Sequence, residues 1–403
     1  MIRVACMAMS DRTHFGAVLA VAEELIRAGA TVAFWTDATF KSEVEAVGAE
    51  FVDLFDPVTV QDVDDTSSPQ PSRFVTFAGE CGAEVARAVK KWAPALIVRA
   101  GFAYVGEVVS RILSLPCVVV ASGHADLGPR FRAQLVGNPR VRTDPRCLAA
   151  VGRLRSEFGL SDASPFSYVA DPSPWLTIYK EPEEWLSHAE RATYGPLACF
   201  GSLHRDSLEE PRPPTPPSSP LRIYASFGTV VWRYWTREVL AALRAIADAA
   251  PLLDNVEIVL GLGNRDLAPD TVGALQRSNV TVLPYADQWQ ELGKADLFIT
   301  HHGLGSTHEA VARGVPMLSY PIFWDQPALA ERSQQFGIAL PLARTPLAPL
   351  APEEVATAVA SASAQRTNMI DRLAEARLWE SRTIADRPKV AQRTLSLAPS
   401  RRA

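Results

Sequence analysis

Between Arg205 and Pro220 the chain places six prolines in sixteen residues. Proline lacks a backbone N–H and fixes φ, so such a stretch supports neither a helix interior nor a central strand. It reads as a stiff, extended connector, and the sequence on either side must fold around a core of its own. A length of 403 residues fits two or three domains. We therefore expect one domain over 1–204, a linker over 205–220 and a second domain over 221–403. The last helix is a candidate to pack back on the first domain.

One pattern repeats on both sides of the linker. In the first half, 2–9, 31–36, 50–54, 95–100 and 117–121 are apolar runs of strand length, and helical periodicity spans 15–28, 40–47, 79–92 and 104–115. Residues 56–77 read as a long irregular loop. In the second half, strands are expected over 221–226, 257–260, 280–283, 297–300 and 315–320. Helices are expected over 235–249 and 289–295, in a turn-to-helix segment stopping at Gly314, and from Pro352 to about Ala385. This alternation predicts an α/β protein with two doubly wound, Rossmann-like parallel-sheet domains and an interdomain cleft.

The net charge of -5 and pI near 5.9 argue against nucleic-acid or anionic-membrane partners. No uninterrupted apolar run reaches the ~18 residues of a membrane span. The first residues run straight into a strand without a signal-peptide pattern. The five cysteines form no Cys-x-x-Cys pair, which fits reduced thiols in the cytoplasm. Cys6, Cys117 and Cys199 lie in apolar runs and are expected in the core. No metal site is legible, so neither a metal nor a cofactor is expected.

The segment from Leu297 to Gln326 carries the most chemistry. A strand ends at Thr300, and His301-His302-Gly303-Leu304-Gly305-Ser306-Thr307 turns into a helix. A second strand follows, and then Asp325-Gln326. Glycines at a helix start let an anion approach backbone amides and the positive end of the helix dipole. Ser306 and Glu309 also form a Ser-x-x-Glu capping box, which alone would only start a helix. Capping leaves the histidines and the Asp325-Gln326 pair unexplained. His301 is the better placed donor to phosphate oxygens, His302 the weaker, and His308 is expected to be structural.

This segment resembles the C-terminal signature of GT-B nucleotide-sugar glycosyltransferases, the UDP-glycosyltransferase-like enzymes of macrolide and other natural-product biosynthesis. The resemblance implies that His301 contacts the diphosphate, with Gly303, Gly305, Ser306 and Thr307 in the turn. It implies that Glu309 binds ribose and that Asp325 and Gln326 hold the donor sugar's hydroxyls. Tyr285-Ala286-Asp287-Gln288 falls where the family stacks on and hydrogen-bonds the base, implying roles for Tyr285 and Gln288. Ser226-Phe227-Gly228-Thr229 matches the family's phosphate loop through Ser226, Gly228 and Thr229. Thr13-His14-Phe15-Gly16 matches the loop after the first strand and implies that His14 is the catalytic base. Many relatives pair that histidine with an aspartate at the end of the fourth strand, where this chain has Arg99-Ala100. Asp11, Glu107 and Asp126 are the acids left to orient His14; otherwise the base works unassisted, or on an acceptor that needs little activation.

The expected function is inverting, metal-independent transfer of a hexose from a UDP- or TDP-sugar. The acceptor is expected to be a small, mostly apolar molecule such as a macrolide, polyketide or aromatic compound. Phe15, Phe74, Phe77, Phe102, Tyr104 and Phe131 are candidates to line its pocket, each also an ordinary core residue by type. Competing possibilities are a nucleotide-sugar 2-epimerase on the same fold and a non-catalytic nucleotide-sugar-binding helper. A homodimer is a candidate assembly. A dehydrogenase is disfavoured, because no Gly-x-Gly-x-x-Gly follows the first strand.

Overall fold

The computed structural model describes residues 1–9, 12–55, 72–124, 129–137, 144–169, 172–203 and 220–399. The candidate acids Asp11 and Asp126, most of the expected 56–77 loop and nearly all of the proline-rich connector lie outside these residues. By its contacts the chain divides into two compact units, Met1–Gly201 with Thr383–Ala403, and Ser202–Arg382.

The first unit is built on seven parallel strands: β1 (Arg3–Met7), β2 (Thr31–Thr36), β3 (Glu50–Asp53), β4 (Leu96–Ala100), β5 (Cys117–Ala121), β6 (Leu176–Tyr179) and β7 (Leu197–Cys199). Their order is β3-β2-β1-β4-β5-β6-β7. The helices are α1 (Arg12–Arg27), α2 (Lys41–Ala46), α3 (Arg73–Trp92), α4 (Val105–Leu113), α5 (Pro129–Val136), α6 (Pro145–Ser156) and α7 (His188–Thr193). Every residue of β4 and β5 is buried. A parallel strand covered on both faces needs a near-continuous apolar run, as Cys-Val-Val-Val-Ala supplies in β5. Cys6 and Cys117 are buried and Cys199 partly so, all as free thiols.

Two helix starts differ from the sequence expectation. α1 begins at Arg12, so His14 stands in its first turn and not in a loop. α3 begins at Arg73, so residues 73–77 are helical and not part of an irregular loop. The reason is packing: Phe74 and Phe77 are each 2% exposed, and burying such rings contributes about 1.5–3 kcal/mol apiece.

The second unit has six parallel strands: β8 (Leu221–Ser226), β9 (Val256–Gly261), β10 (Val280–Leu283), β11 (Leu297–Thr300), β12 (Met317–Ser319) and β13 (Ala339–Pro341). Their order is β10-β9-β8-β11-β12-β13. Around them lie α8 (Val231–Tyr234), α9 (Thr236–Ala249), α10 (Pro269–Gly273), α11 (Gln288–Leu292), α12 (Leu304–Arg313), α13 (Gln326–Gln335) and α14 (Pro352–Ala385). Ile223, Ala225, Ile258, Leu260, Ile299 and Leu318 from the sheet meet Val239, Leu243 and Ile246 of α9 and Val355 and Val359 of α14 in one core. α14 buries Val355, Val359, Ala362, Met369, Leu373 and Ala376, a stripe at three- and four-residue spacing.

After α14 comes α15 (Arg387–Leu395), which belongs to the first unit. The buried Arg387 guanidinium donates to the carbonyls of Phe200 (2.7 Å) and Gly201 (3.3 Å) and lies over the Phe200 ring. Arg393 donates to the Leu197 carbonyl at 2.6 Å. No helix among the described residues is long and apolar enough to cross a membrane.

Candidate active site

In the second sheet the chain runs from β8 outward to β10, then restarts at β11 and runs the other way. The crevice at the carboxyl ends of β8 and β11, where Ser226 is in register with Thr300, is the place where such sheets receive ligands. His301 follows Thr300 directly. A Cβ placed on Gly228 would stand 2.8 Å from His301 Nε2, and one on Gly303 2.5 Å from it, so the ring fits only because both positions lack a side chain. Gly228 also adopts φ of +74°, which glycine tolerates best. His301 Nδ1 is buried and has no hydrogen-bond partner among the described residues. Burial pushes the imidazole down to about 4, so the ring is neutral at neutral pH and carries a single N–H.

α12 begins beside this ring. Its N-cap is Gly303, which offers no side-chain hydrogen bond, and the first intrahelical amide is Thr307 N, bonded to Gly303 O at 3.0 Å. The expected Ser306–Glu309 capping box is therefore not formed: the helix starts three residues earlier, and Ser306 stands inside it. The amides of Leu304, Gly305 and Ser306 begin the helix without intrahelical partners. Ser306 and Glu309 face Gln288 instead. Gln288 Nε2 donates to Ser306 Oγ (3.0 Å) and to Glu309 Oε2 (2.7 Å). Burial raises the Glu309 carboxyl above its ordinary value, and the Gln288 hydrogen bond opposes that shift. Asp287 caps α11 by accepting from Gln290 N, while the Tyr285 ring is 69% exposed with a face open for stacking.

Other signature residues play internal parts. His302 is fully buried at φ of +59°, with Ser319 Oγ 2.8 Å from Nε2 and Thr307 Oγ1 3.2 Å from Nδ1. Burial, and then His301, push its imidazole down to about 3. The Thr307 hydroxyl donates to Gly303 O as well, so it braces the turn. His308 is paired with Glu380, both wholly buried, which ties α12 to α14. Past β12, Gln326 Oε1 accepts from the amides of Ile322 (3.0 Å) and Phe323 (3.1 Å) and fixes the loop that carries the buried Asp325. Ser226 Oγ accepts from Gly228 N at 3.4 Å, and Thr229 is exposed.

The first sheet changes direction between β1 and β4. His14 follows β1, Phe102 follows β4, and Ser122 follows β5. The His14 and Phe102 rings stack with centroids 3.7 Å apart, and Ser122 Oγ lies 2.8 Å from His14 Nδ1. Ser122 was not among the residues expected to matter. Phe74 (5.0 Å) and Tyr168 (5.5 Å) flank Phe102. Phe15 stacks on Phe40, Phe77 packs near Phe55 and Tyr104 is buried, so these three are core residues. The side chain of Phe131 lies outside the described residues.

Arg99 is buried at the end of β4, donating to the carbonyls of Ala100 (3.3 Å) and Gly101 (3.2 Å). Glu107 pairs with Arg99 (3.4 Å) and Arg111 (3.2 Å), so this candidate acid serves two arginines and does not orient His14. A second cluster went unanticipated. His124 Nδ1 lies 2.8 Å from Glu181 Oε2, the Tyr179 hydroxyl donates to the same oxygen, and all three residues are buried. The one sequence sign of it is the polar Ser-x-His that ends the apolar run of β5. Among the described residues no three His, Cys, Asp or Glu side chains are grouped as a metal set would be.

The sequence profile of the UDP-glucoronosyl and UDP-glucosyl transferase family matches residues 223–368. The NDP-glycosyltransferase YjiC of Bacillus subtilis is 23% identical over 355 residues, 86% of each chain. The oleandomycin glycosyltransferase of Streptomyces antibioticus is 25% identical over 356 residues, 84% of this chain and 79% of its own. Among solved structures, the glycotransferase of kitacinnamycin superposes with a TM-score of 0.76 at 22% identity, covering 98% of this chain and 99% of its own.

Proposed function

We propose that this protein, a natural-product-type glycosyltransferase of the GT-B fold, moves a hexose from a UDP- or TDP-sugar to a small, mostly apolar acceptor with inversion at the anomeric carbon. The observation that carries the donor half is His301. It is a neutral imidazole wedged between two glycines at the sheet's switch point, with an unpartnered nitrogen, beside a helix whose first amides are uncapped. An oxyanion is the ligand that satisfies such donors together. In this reading the diphosphate lies against His301 and the amides of Leu304, Gly305 and Ser306. The ribose meets Glu309, the base stacks on Tyr285, and the sugar is held near Asp325 and Gln326.

The acceptor half falls to His14. As the acceptor oxygen attacks the anomeric carbon, the imidazole takes its proton and the bond to the nucleoside diphosphate breaks. The negative charge that grows on the leaving group is met by fixed N–H dipoles, and no metal is invoked. Phe102 and Phe74 offer the acceptor an apolar wall. The similarity to the oleandomycin glycosyltransferase supports a natural-product acceptor.

The test starts with a thermal-shift screen of UDP, TDP, GDP and ADP, followed by the matching sugar nucleotides and acceptor panels with EDTA present. One diphosphate should stabilise the protein by mass action, and transfer should persist in EDTA. No shift with any nucleotide would sink the donor site. Sugar-nucleotide conversion without an acceptor would replace transfer with isomerisation.

A further inference from the structure

A hydroxyl lies against the His14 ring. Ser122 Oγ lies 2.8 Å from Nδ1, and the opposite face of the ring problem is solved by Phe102, stacked at 3.7 Å. A neutral imidazole carries its proton on either Nδ1 or Nε2. It can take an acceptor's proton at Nε2 only when the ring's own proton is on Nδ1, so something must accept from Nδ1–H. We infer that Ser122 is the positioning residue for His14: its oxygen accepts from Nδ1–H, sets the tautomer and leaves Nε2 as the basic atom. This rests on the reading of His14 as the base.

Ser122 is placed to do this by its surroundings. It is 6% exposed and follows directly on β5, a strand buried along its whole length. Two residues on, His124 is tied to Glu181 at 2.8 Å, with Tyr179 on the same carboxylate oxygen. Tyr179 ends β6 and Glu181 lies just beyond it, while β6 pairs with β5 up to Ala121 and Tyr179. The buried cluster thus clamps the 122–124 turn to the neighbouring strand, and the hydroxyl keeps its place against His14. During transfer the acceptor O–H proton passes to Nε2, the new C–O bond forms, and the C–O bond to the diphosphate breaks. The imidazolium that results still donates from Nδ1–H to Ser122.

The deciding measurement is the His14 tautomer, read from nitrogen chemical shifts of 15N-histidine-labelled protein and assigned with His14→Gln. The expected result is a protonated Nδ1 and a bare Nε2 in the wild type, with that preference lost in Ser122→Ala. A wild-type ring protonated at Nε2, with Nδ1 accepting from the serine, would overturn the inference. Kinetics give the second arm, using whichever of UDP-glucose and TDP-glucose turns over. Ser122→Ala should lower kcat about 10- to 100-fold with donor KM unchanged, short of the roughly 10²- to 10⁴-fold worth of the general base itself. Ser122→Thr, which keeps the hydroxyl, should recover most of it. Unchanged kcat in Ser122→Ala would equally overturn the role. His14→Ala separates the two ideas: full activity there removes the base itself, while the tautomer still reports whether Ser122 orients the ring.

Discussion

The two sheets share one topology and each presents a histidine at its switch point, yet the two rings are handled in opposite ways. His14 is half-buried, stacked on Phe102 and hydrogen-bonded to Ser122. His301 is 7% exposed, set between Gly228 and Gly303, and its Nδ1 has no partner. As the proposed base, His14 would need a partner on one nitrogen and access at the other. As the proposed anion donor, His301 would work best neutral, dry and immobile. Burial supplies that for His301 by pushing its pKa down to about 4.

Exchanging the substitutions should break the comparison most sharply. His14→Ala should cut kcat by roughly 10²- to 10⁴-fold while UDP affinity stays the same. His301→Ala should do the reverse in emphasis, weakening UDP binding by about 1.5–3 kcal/mol, the worth of a hydrogen bond to a charged group. Titration calorimetry with UDP and initial rates on both variants settle the matter. Two variants with the same profile would mean that the histidines do not divide the work.

The glycines offer a finer cut. Gly303→Ala puts a methyl 2.5 Å from His301 Nε2, so the ring must move and UDP affinity should fall about as far as in His301→Ala. Gly305→Ala meets nothing within 4 Å and gains roughly 1 kcal/mol of helix propensity. Its melting temperature should rise, while UDP affinity should fall because the added methyl adjoins an amide proposed to meet the diphosphate. Higher stability with unchanged affinity would show that the diphosphate lies away from that turn.

Acid should find the second unit through the same burial. His301 and His302 are held down at about 4 and about 3, against an ordinary 6.5. Below pH 6.5 the unfolded chain binds protons that the folded unit refuses, so stability present at pH 7 is lost progressively as pH falls toward 4 and below. Urea midpoints at pH 7.5, 6 and 5 should decline in that order, and His301→Asn should flatten the decline. A flat wild-type profile would mean that water reaches both rings.

The sequence made the second unit more legible than the first for a physical reason. The 221–226, 280–283 and 297–300 strands and the helix reaching Ala385 are bounded by glycine, proline or polar breaks, and each element follows from its own residues. Gly228 and Gly303 stand close in sequence to the strands they serve, so the turn chemistry is local. Ser122 meets His14 across 108 residues, and nothing near either residue announces the other. The starts of α1 and α3 were hidden for a related reason. The Ser72 side chain makes no cap bond on α3, and the first turn is set by where Phe74 and Phe77 pack. The false capping box shows the converse: Ser306 and Glu309 have the right spacing, but both are drawn to Gln288.

Gln288 gives the smallest effect and the most specific one. Its amide donates to Glu309 at 2.7 Å and opposes the rise that burial imposes on that carboxyl. In Gln288→Ala the carboxyl loses this donor, its pKa moves further up, and it becomes protonated at a higher pH than in the wild type. If Glu309 accepts from ribose hydroxyls, UDP affinity should drop only a few-fold at pH 8, about the worth of one neutral hydrogen bond. The gap to wild type should then widen as pH is lowered, while inorganic pyrophosphate, which has no ribose, binds both proteins alike. Titrating UDP and pyrophosphate into the two proteins at pH 8 and pH 6 separates the cases. A gap that stays constant with pH would assign Gln288 to the base alone, and equal losses for pyrophosphate would mean that the substitution disturbs α12 and its anion site.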